Sequence, residues 1–546
     1  MQKHLKSGFY IAGLFGTILG GGLGHALAAH VPDGVVLAKK QVLVRNNDGE
    51  LQGLDPAKVE GVPEDAALSD LFEPLTLSGP EGETEPGVAE RWETKDFKEW
   101  VFYLRENARW SNGDPVTAHD FVYALRRLVD PKTGSPYSSY LGYGHVLNNE
   151  AIFTGKKPLE SLGVEALDDR RLAFHLEEAT PYLPKLLSHI STVPVPKKII
   201  EKYGDAWTQP GKMVSNGAYR LKERVLNEKL VFERNPYYWD NVHTVIDQVT
   251  LLPIVSGITG VIRYRGGEID VGATGIPVAQ YNSLRKEIPN EIKSGPFLCT
   301  YYYEINNKKP PFNDPRVREA LKIGFDRDII ALRVVGQGRK PAYSYLQPAV
   351  NGAVVEKPDW YAKMDQAARN RKAKKLLAEA GYDEKHPLNV EISYNTLEDH
   401  KLIASAIASM WGKNLGVQVK LTNDDWKTFL DRRHSGDYQV ARAAWCADYN
   451  EPSAFLNTML SNSTNNTDFY KSKEFDDIMA QSSRVKSEEE RTKLYTKAEQ
   501  ILDKDSAIIP IYYYVLNRLV KPYVGGYAVN NPLGHMYTKD MYIIKH

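Results

Sequence analysis

The chain has 546 residues, which is too many for a single hydrophobic core, so two or three domains are expected. Its 69 basic and 69 acidic residues cancel, and this balance gives no reason to expect nucleic acid or an acidic membrane surface as a partner. The two cysteines are too few for a metal site built from a cysteine cluster.

The N-terminal residues have the pattern of an export signal. Lys3 and Lys6 precede an apolar stretch over residues 9–23, and a small-residue pattern suited to signal peptidase ends at Ala28. A membrane anchor is the alternative, but it needs about 20 apolar residues. This stretch is shorter and contains five glycines. We therefore predict that residues 1–28 are a signal peptide cleaved after Ala28 and that the mature protein is exported to a bacterial periplasm.

Strand, turn and helix patterns follow in the first half of the chain. The stretch "WVFYL" predicts a strand and "SNGDP" a turn, and the next helix begins with Thr117 and Asp120 at capping-box spacing. Between residues 217 and 252, "GAYRL", "KLVFERN" and "QVTLLPI" predict strands of a mixed sheet. Near the C-terminus, "AIIPIYYYVLNRLV" predicts a strand that returns to a domain begun much earlier.

Residues 365–450 alternate between helix and strand patterns. A helix ended by Gly381 precedes the strand "LNVEISYN", and a second helix ended by Gly416 precedes the strand "VQVKLTN". A third helix, "DWKTFLDRRHSG", leads into the strand "YQVARAAW". This alternation predicts parallel strands joined by right-handed crossovers, and therefore an α/β domain.

A candidate site lies where these strands end, because ligands of open α/β sheets bind beyond the carboxyl ends of the strands. Residues 395–400, 423–426 and 445–450 each follow one of the three strands. The last of them, within "ARAAWCADYNEP", joins a cysteine to a tryptophan and two carboxylates. The residues alone leave open whether this stretch holds a catalytic thiol, a metal or the wall of a binding pocket.

Longer motifs carry a family resemblance over almost the whole mature chain. The segments "LRENARWSNGDPVTAHDFVYALRRL", "SNGAYRL", "NPYYWDN" and "DPRVREALKIGFDRDII" resemble the extracytoplasmic solute-binding proteins, family 5, of peptide ABC importers. The segments "LCTYYYEINNKKPPFNDPRV" and "ARAAWCADYNEPSAFLNTML" and the tail "MYIIKH" resemble the periplasmic oligopeptide-binding branch of that family.

The resemblance implies an α/β, periplasmic-binding-protein-like fold of class II, cluster C, in which two lobes and an extra third domain close on a peptide by a hinge. It implies no catalysis and no cofactor or metal. It also implies a monomer that delivers short peptides to an inner-membrane ABC permease with cytoplasmic ATPases.

The same resemblance implies domain boundaries. Domain I would comprise residues 29–72, 197–298 and 516–546, domain II residues 73–196, and domain III residues 299–515. The chain would then cross between the lobes near Leu298 and near Val515, and two crossings allow closure about one axis.

Roles for individual residues follow from the resemblance. Asp448 would receive the α-ammonium group of the peptide, and Arg442 and His400 would receive its carboxylate, each for a different peptide length. The family has a lysine near "ALRVVGQG", where this chain has Arg333, and whether Arg333 replaces it is left open. The other expected peptide contacts are Glu60, Val62, Tyr137, Thr274 or Gly275, Phe297, Trp426, Arg433, Ala444, Trp445, Cys446 and Tyr514.

We also predict a disulfide between Cys299 and Cys446, because an exported protein with an even number of cysteines usually pairs them. Cys446 lies in the candidate site, and Cys299 lies in "FLCTYYYE". The alternative is two free buried thiols.

Two other readings remain open. A secreted peptidase or glycosidase would need a catalytic motif, but neither G-x-S-x-G nor H-E-x-x-H occurs, and nothing would separate the pKa values of Asp448 and Glu451. The same fold could instead take a murein peptide, a dipeptide, haem, nickel or a signalling peptide. The presence of Arg442, Cys446 and Asp448 favours general oligopeptides of about two to five residues.

Overall fold

The computed structural model describes residues 29–273, 275–485 and 487–546. The predicted signal peptide, residues 1–28, and the predicted contact Thr274 lie outside the described residues. Within the described ranges, every helix is too short or too polar to cross a membrane.

Eighteen strands and seventeen α-helices are assigned in these ranges. In chain order the strands are β1 (Val42–Asn46), β2 (Thr76–Ser78), β3 (Thr84–Pro86), β4 (Ala89–Thr94), β5 (Glu99–Leu104), β6 (Val164–Ala166), β7 (Arg171–His175), β8 (Tyr219–Val225), β9 (Lys229–Arg234), β10 (Gln248–Leu252), β11 (Ile292–Ile305), β12 (Lys340–Pro341), β13 (Asn389–Asn395), β14 (Gln418–Asp424), β15 (Val440–Cys446), β16 (Ile508–Leu519), β17 (Val524–Gly525) and β18 (Tyr542–Ile543). The helices are α1 (Val62–Leu71), α2 (Ala118–Val129), α3 (Tyr140–Tyr143), α4 (Asn149–Phe153), α5 (Leu183–Leu186), α6 (Lys197–Tyr203), α7 (Gly257–Arg265), α8 (Val278–Glu287), α9 (Pro315–Ile323), α10 (Arg327–Ile329), α11 (Asp359–Ala362), α12 (Gln366–Glu379), α13 (Glu398–Leu415), α14 (Trp426–Ser435), α15 (Ser453–Leu456), α16 (Lys473–Ser482) and α17 (Glu488–Asp505).

Two four-stranded sheets occupy the first half of the chain. One has the order β1-β10-β9-β8, with β1 parallel to β10 and the other pairs antiparallel, which confirms the predicted mixed sheet. The other is antiparallel, with the order β4-β5-β7-β6. Helix α2 packs on β6 and β7. Its predicted capping box is confirmed, because Asp120 accepts a hydrogen bond of 2.8 Å from the backbone N–H of Thr117.

A six-stranded sheet with the order β12-β16-β11-β15-β13-β14 forms the second half. Strand β13 is parallel to both β14 and β15, so the α/β alternation predicted over residues 365–450 is confirmed. Helix α13 ends at Gly416, whose left-handed φ of 76° is the conformation that glycine adopts at low cost. The carboxyl ends of β13, β14 and β15 consequently meet at one edge of the sheet.

The longest strands, β11 and β16, pair antiparallel from Ile292 with Leu519 to Glu304 with Ile508. Their register shifts between Pro296 and Thr300, beside the predicted crossing at Leu298. After β16 the chain returns to the N-terminal part of the fold, where β17 pairs with β18 and residue 544 bridges residue 37. Strand β16 itself pairs with β11, which lies much earlier in the chain, so its predicted return is confirmed.

The hydrophobic core lies in two main parts. One fills the space around the two four-stranded sheets and continues to Tyr449 and Phe455. The other lies under the six-stranded sheet, around Ile392, Trp411 and Ile509. A third, smaller cluster surrounds Tyr264 beneath the mixed sheet. The two main cores lie on either side of the strands that contain the crossing points.

The predicted disulfide is present. Cys299 of β11 lies directly opposite Cys446 of β15, with Cα atoms 4.0 Å apart, and the two residues are separated by 147 positions in the sequence. The bond therefore joins the central strand of the sheet to the strand that enters the candidate site, and both free-thiol and thiol-catalysis readings of Cys446 are excluded.

We predict that removing this bond lowers stability without changing the fold. By loop entropy a bond that closes so long a loop contributes at most about 5 kcal/mol, and typical measured values are about 2–4 kcal/mol. Urea unfolding of the Cys299→Ala/Cys446→Ala variant should show a free energy of unfolding lower by that amount. Dithiothreitol should destabilise the wild-type protein and leave the double variant unchanged; equal effects on both proteins would contradict the assignment.

Candidate functional site

A cavity of about 1030 Å³ lies between the two halves of the molecule. Its first wall consists of the turns that follow β1, β8 and β10 together with the start of α1. Its second wall consists of the residues that follow β13, β14 and β15. The carboxyl ends of strands from two sheets thus face one enclosed volume, whose size is typical of small-ligand sites.

Every predicted site residue that the structure describes lines this cavity. They are Glu60, Val62, Tyr137, Gly275, Phe297, His400, Trp426, Arg433, Arg442, Ala444, Trp445, Cys446, Asp448 and Tyr514. Residues separated by more than 450 positions in the chain, Glu60 and Tyr514, are therefore brought together as the sequence predicts, although charges and partners differ from the expectation at several positions.

Asp448 forms the acidic end of the cavity. Its side chain is 9% exposed, and Oδ2 is buried without a hydrogen-bond partner in the described protein. Burial, followed by the charge of Asp65, raises its pKa well above the ordinary value. Oδ1 lies 3.6 Å from Nε2 of His189. A cation that reached Asp448 would therefore meet a carboxyl group that no protein cation pairs, and its charge would favour the ionised form.

His189 cannot supply that cation, because burial lowers its pKa to about 4. Its Nδ1 accepts the backbone N–H of Ser191, so the proton of the neutral ring is assigned to Nε2, facing Asp448. A second carboxylate, Asp65, lies nearby with Oδ2 3.4 Å from Nδ1 of His535. This end of the cavity consequently attracts positive charge.

Arg442 forms a basic region on β15. Its guanidinium group donates to Oδ1 of Asn395 at 3.3 Å and to the hydroxyl of Tyr514 at 3.1 Å, and it lies over the ring of Tyr301. Its Nε is buried without a partner, and no carboxylate of the described residues lies within 4 Å of it. An anion could therefore bind here without displacing a protein carboxylate.

The structure corrects the expected charge of His400. This residue is buried, and burial, followed by the positive charges of Arg442 and Arg339, lowers its pKa well below the ordinary value. It can donate a hydrogen bond from a neutral ring, but it is not the second cation that we expected. Sequence patterns do not report this, because the two arginines lie far apart in the chain and reach His400 only in the folded protein.

Arg433, which we expected to contact the peptide, is already bound to a carboxylate of the protein. It forms two hydrogen bonds with Glu304, at 2.9 Å from Nε and 2.6 Å from Nη2, so its charge is already paired within the protein. Arg333 is exposed and lies outside the cavity lining. Arg333 is therefore not a residue of the cavity.

Glu60 and Trp426 connect the two walls of the cavity. Nε2 of His434 on α14 lies 2.6 Å from Oε1 of Glu60. Gly61 lies so close to Trp426 that a Cβ atom would be 2.8 Å from Cζ2 of the indole, and its φ of 112° also disfavours other residues. Both contacts join the segment before α1 to α14, and they exist only when the walls are together.

Sequence reasoning missed many of the lining residues, among them Glu64, His189, Arg339 and Tyr512. Glu64 lies four positions after the predicted contact Glu60, and burial raises its pKa to about 7. The other three have no local pattern that separates them from ordinary core or surface residues. No cluster of three or more metal-ligating side chains occurs among the residues of the described ranges.

Comparison with known proteins decides the family. The profile of bacterial extracellular solute-binding proteins, family 5 Middle, matches residues 83–467. The chain belongs to family 5 of the bacterial extracellular solute-binding proteins. A relative in this family is the periplasmic oligopeptide-binding protein OppA of Salmonella typhimurium. It is 57% identical over 546 residues, and the alignment covers 100% of both chains. The predicted family and fold class are confirmed.

Solved structures of family members show the same fold. OppA of Haemophilus influenzae, in complex with RPPGFSPFR, is 48% identical and superposes with a TM-score of 0.92 over 93% of this chain and all of that chain. The murein tripeptide binding protein MppA of Escherichia coli, 44% identical, also reaches 0.92, over 94% of this chain and all of its own.

A second structure of MppA, its unliganded open form, reaches a TM-score of only 0.66, over 94% of this chain and 99% of its own. The two structures contain the same relative, so the difference reflects how the parts of MppA are arranged. The present structure corresponds to the arrangement of the first MppA structure, not to that of the open form.

We predict that closure of the cavity depends on the protonation of His434. Burial lowers the pKa of His434 and the Glu60 carboxylate raises it, with a net increase. Burial raises the pKa of Glu60, and His434 and Arg433 together lower it, with a net decrease. The contact therefore stabilises the closed form fully below the ordinary histidine pKa of about 6.5, and this stabilisation is lost as pH rises through the raised value.

The measurement is the radius of gyration of the free protein by small-angle scattering between about pH 6 and 8.5. The wild-type protein should become more compact as pH falls, and His434→Gln should remove part of that change. Arg433 and Glu304 also influence the pKa of His434. Both residues are therefore left unchanged in the His434→Gln variant. Identical pH curves for the two proteins would contradict this role of the pair.

Proposed function

We propose that this protein is the periplasmic substrate-binding component of an oligopeptide ABC importer. The observation that carries the proposal is a single cavity with a buried carboxyl group that no protein cation pairs, Asp448, at one position and an unpaired guanidinium group, Arg442, at another. A short peptide is a zwitterion, so it supplies the counter-ion for each. The names of the Salmonella relative and the peptide bound to the Haemophilus relative support the assignment.

The edge of β15 offers the peptide backbone a place to bind. Strand β15 pairs with β11 on one side, whereas on the other side its pairing with β13 ends at Ala441. Ala444, Trp445 and Cys446 line the cavity beyond that point. An extended peptide beside them would use main-chain hydrogen bonds, which are the same for every sequence, while water fills the space around its side chains.

The positions of the charged groups suit short peptides. From Arg442 to Cys446 the strand advances about 13 Å, at roughly 3.3 Å per residue, and Asp448 lies two residues further. A peptide of about two to five residues spans a comparable distance. Arg442 would bind the carboxylate at one length, and the neutral ring of His400 would donate a hydrogen bond at another.

Transport requires that the cavity opens. We propose the predicted division into domain I (29–72, 197–298 and 516–546), domain II (73–196) and domain III (299–515), with hinges near Leu298 and Val515. The register shift in the β11–β16 ladder between Pro296 and Thr300 supports this position, as does the open form of MppA. The closed monomer would deliver its peptide from the periplasm to an inner-membrane permease with cytoplasmic ATPases, without catalysis or a cofactor.

A murein peptide is the second candidate, because MppA is 44% identical and superposes as well as the oligopeptide-binding relative does. Mass spectrometry of ligands that co-purify with the protein separates the two. Mixed peptides of many sequences support the first proposal, whereas muropeptides alone support the second.

We predict that Asp448→Asn abolishes tight peptide binding. The ammonium group would remain buried without a counter-charge, which should cost about 2–5 kcal/mol of binding free energy. Isothermal titration calorimetry with tetra-alanine and its N-acetylated form checks this, with the exposed Asp437→Asn as a matched control. Wild-type protein should reject the acetylated peptide, the control should bind like wild type, and the recovered peptide should be intact by mass. Equal binding of the free and acetylated peptides would refute the role of Asp448.

We also predict that binding releases protons from Asp448. Burial raises its pKa in the protein alone, and a bound ammonium group lowers it again, so the affinity should decrease as pH falls below the raised value. The decrease reaches at most about tenfold per pH unit for one proton. Calorimetry in buffers of different ionisation enthalpy should detect proton release in the wild-type protein and none from this group in Asp448→Asn. A pH-independent affinity over the acidic range would be inconsistent with this mechanism.

A further inference from the structure

Arg339 is a buried cation in the cavity wall. Neither packing of the fold nor the proposed carboxylate contact at Arg442 explains why an arginine lies there. It is 6% exposed and lines the cavity. Its backbone is fixed, because its N–H donates to the carbonyl of Gly336 at 3.1 Å and the next residue begins β12. The side chain is therefore held at one place on the wall.

The charge of Arg339 has no ionic partner among the described residues. Nη1 lies 3.4 Å from the carbonyl oxygen of Val335, a long hydrogen bond, and Nε is buried without a partner. Arg433, on the same cavity wall, instead meets Glu304 through two short hydrogen bonds. The protein has therefore neutralised one of these arginines and not the other.

Aromatic rings hold the guanidinium group in place. Its Cζ lies 5.4 Å from the ring centroid of Tyr512 and 6.0 Å from that of Tyr514, and Tyr514 also accepts a hydrogen bond from Arg442. Cation–π contacts of this kind orient a guanidinium group but leave its N–H groups available. The two arginines thus flank one pair of tyrosines.

The neighbouring acidic group, Asp399, acts on Arg339 only from beyond contact: burial raises the pKa of Asp399 and the charge of Arg339 partly offsets that rise. The carboxylate of Asp399 lies beyond ion-pair distance and accepts the backbone N–H of Val278 at 3.3 Å. The adjacent His400 is buried and close enough to feel both arginines. This part of the cavity consequently keeps two positive charges with no acidic group paired to either.

We propose that Arg339 binds a carboxylate of the ligand. Strands β12 and β15 lie three strands apart in the six-stranded sheet, roughly 14 Å, but the side chains of Arg339 and Arg442 both reach Tyr514. Arg339 therefore extends the basic region of Arg442 toward β12. The inference rests on the proposed peptide-binding function, and the carboxylate is either the C-terminus of the peptide or an acidic side chain.

The test uses calorimetry with the wild-type protein, Arg339→Gln and Arg339→Lys, and the exposed Arg333→Gln as a control from the helical turn that precedes Arg339. The ligands are alanine peptides of two to five residues, their C-terminal amides, and tetrapeptides with a single Glu or Gln at each position. For the peptides whose carboxylate reaches Arg339, we expect Arg339→Gln to lose about tenfold or more in affinity, as for a charge-assisted hydrogen bond. Arg339→Lys should retain most of the affinity, and Arg333→Gln should bind like wild type.

The pattern of loss identifies the source of the carboxylate. A loss confined to one length of the alanine series and absent with amides assigns the subsite to the C-terminus. A loss confined to one Glu position, present with amides and absent with Gln, assigns it to an acidic side chain. If Arg339→Gln does not fold, a preference of the wild-type protein for Glu over Gln at one position, or for acid over amide at one length, tests the same subsite.

Two results would overturn the inference. Wild-type affinity of Arg339→Gln for every peptide would mean that the guanidinium group contacts no ligand carboxylate, and a uniform loss would mean that it only shapes the wall. In either case Asp448→Asn would still lose binding if the proposed function is correct. A wild-type protein that binds no peptide would instead refute the proposed function itself.

Discussion

Strands β11 and β16 run side by side through the centre of the protein, and the strands paired with them position Asp448, Arg442 and Arg339 in the cavity. Strand β15, which bears Arg442 and leads to Asp448, pairs with β11 and is bonded to it covalently through Cys446. Strand β12, which follows Arg339, pairs with β16. The spacing between these charges is therefore a property of one hydrogen-bonded ladder, and the same ladder contains the irregular stretch at which the chain can bend.

The cavity contains charges of both signs that folding has left without partners. Transferring an ion from water to a protein interior costs several kcal/mol unless it is paired, and Asp448, Arg442 and Arg339 lack an ionic partner in the described protein. Elsewhere the protein pairs such groups, as Arg433 with Glu304 and Arg45 with Asp70. The unpaired charges reduce stability, which the two large apolar cores offset, and a zwitterionic ligand removes part of that cost.

The neutral histidines matter as much as the charges. If His189 were protonated it would neutralise Asp448, and if His400 were protonated it would add a cation beside Arg442. Burial keeps both rings neutral, so the cavity retains one acidic and one basic region without competing protein ions. The exception is His434, which lies at the junction of the two walls and is the histidine for which a carboxylate, Glu60, outweighs burial.

The sequence by itself determined the α/β alternation over residues 365–450, the mixed sheet, the disulfide and fourteen of the residues that line the cavity, because periodicity, cysteine count and family motifs are local or pairwise properties. It could not determine which of those residues are charged or already paired. The neutral state of His400, the pairing of Arg433, the exposure of Arg333 and the position of Arg339 depend on side chains from strands far apart in the chain. Burial and distance set the charge of an ionisable group, and both exist only once the tertiary structure has formed.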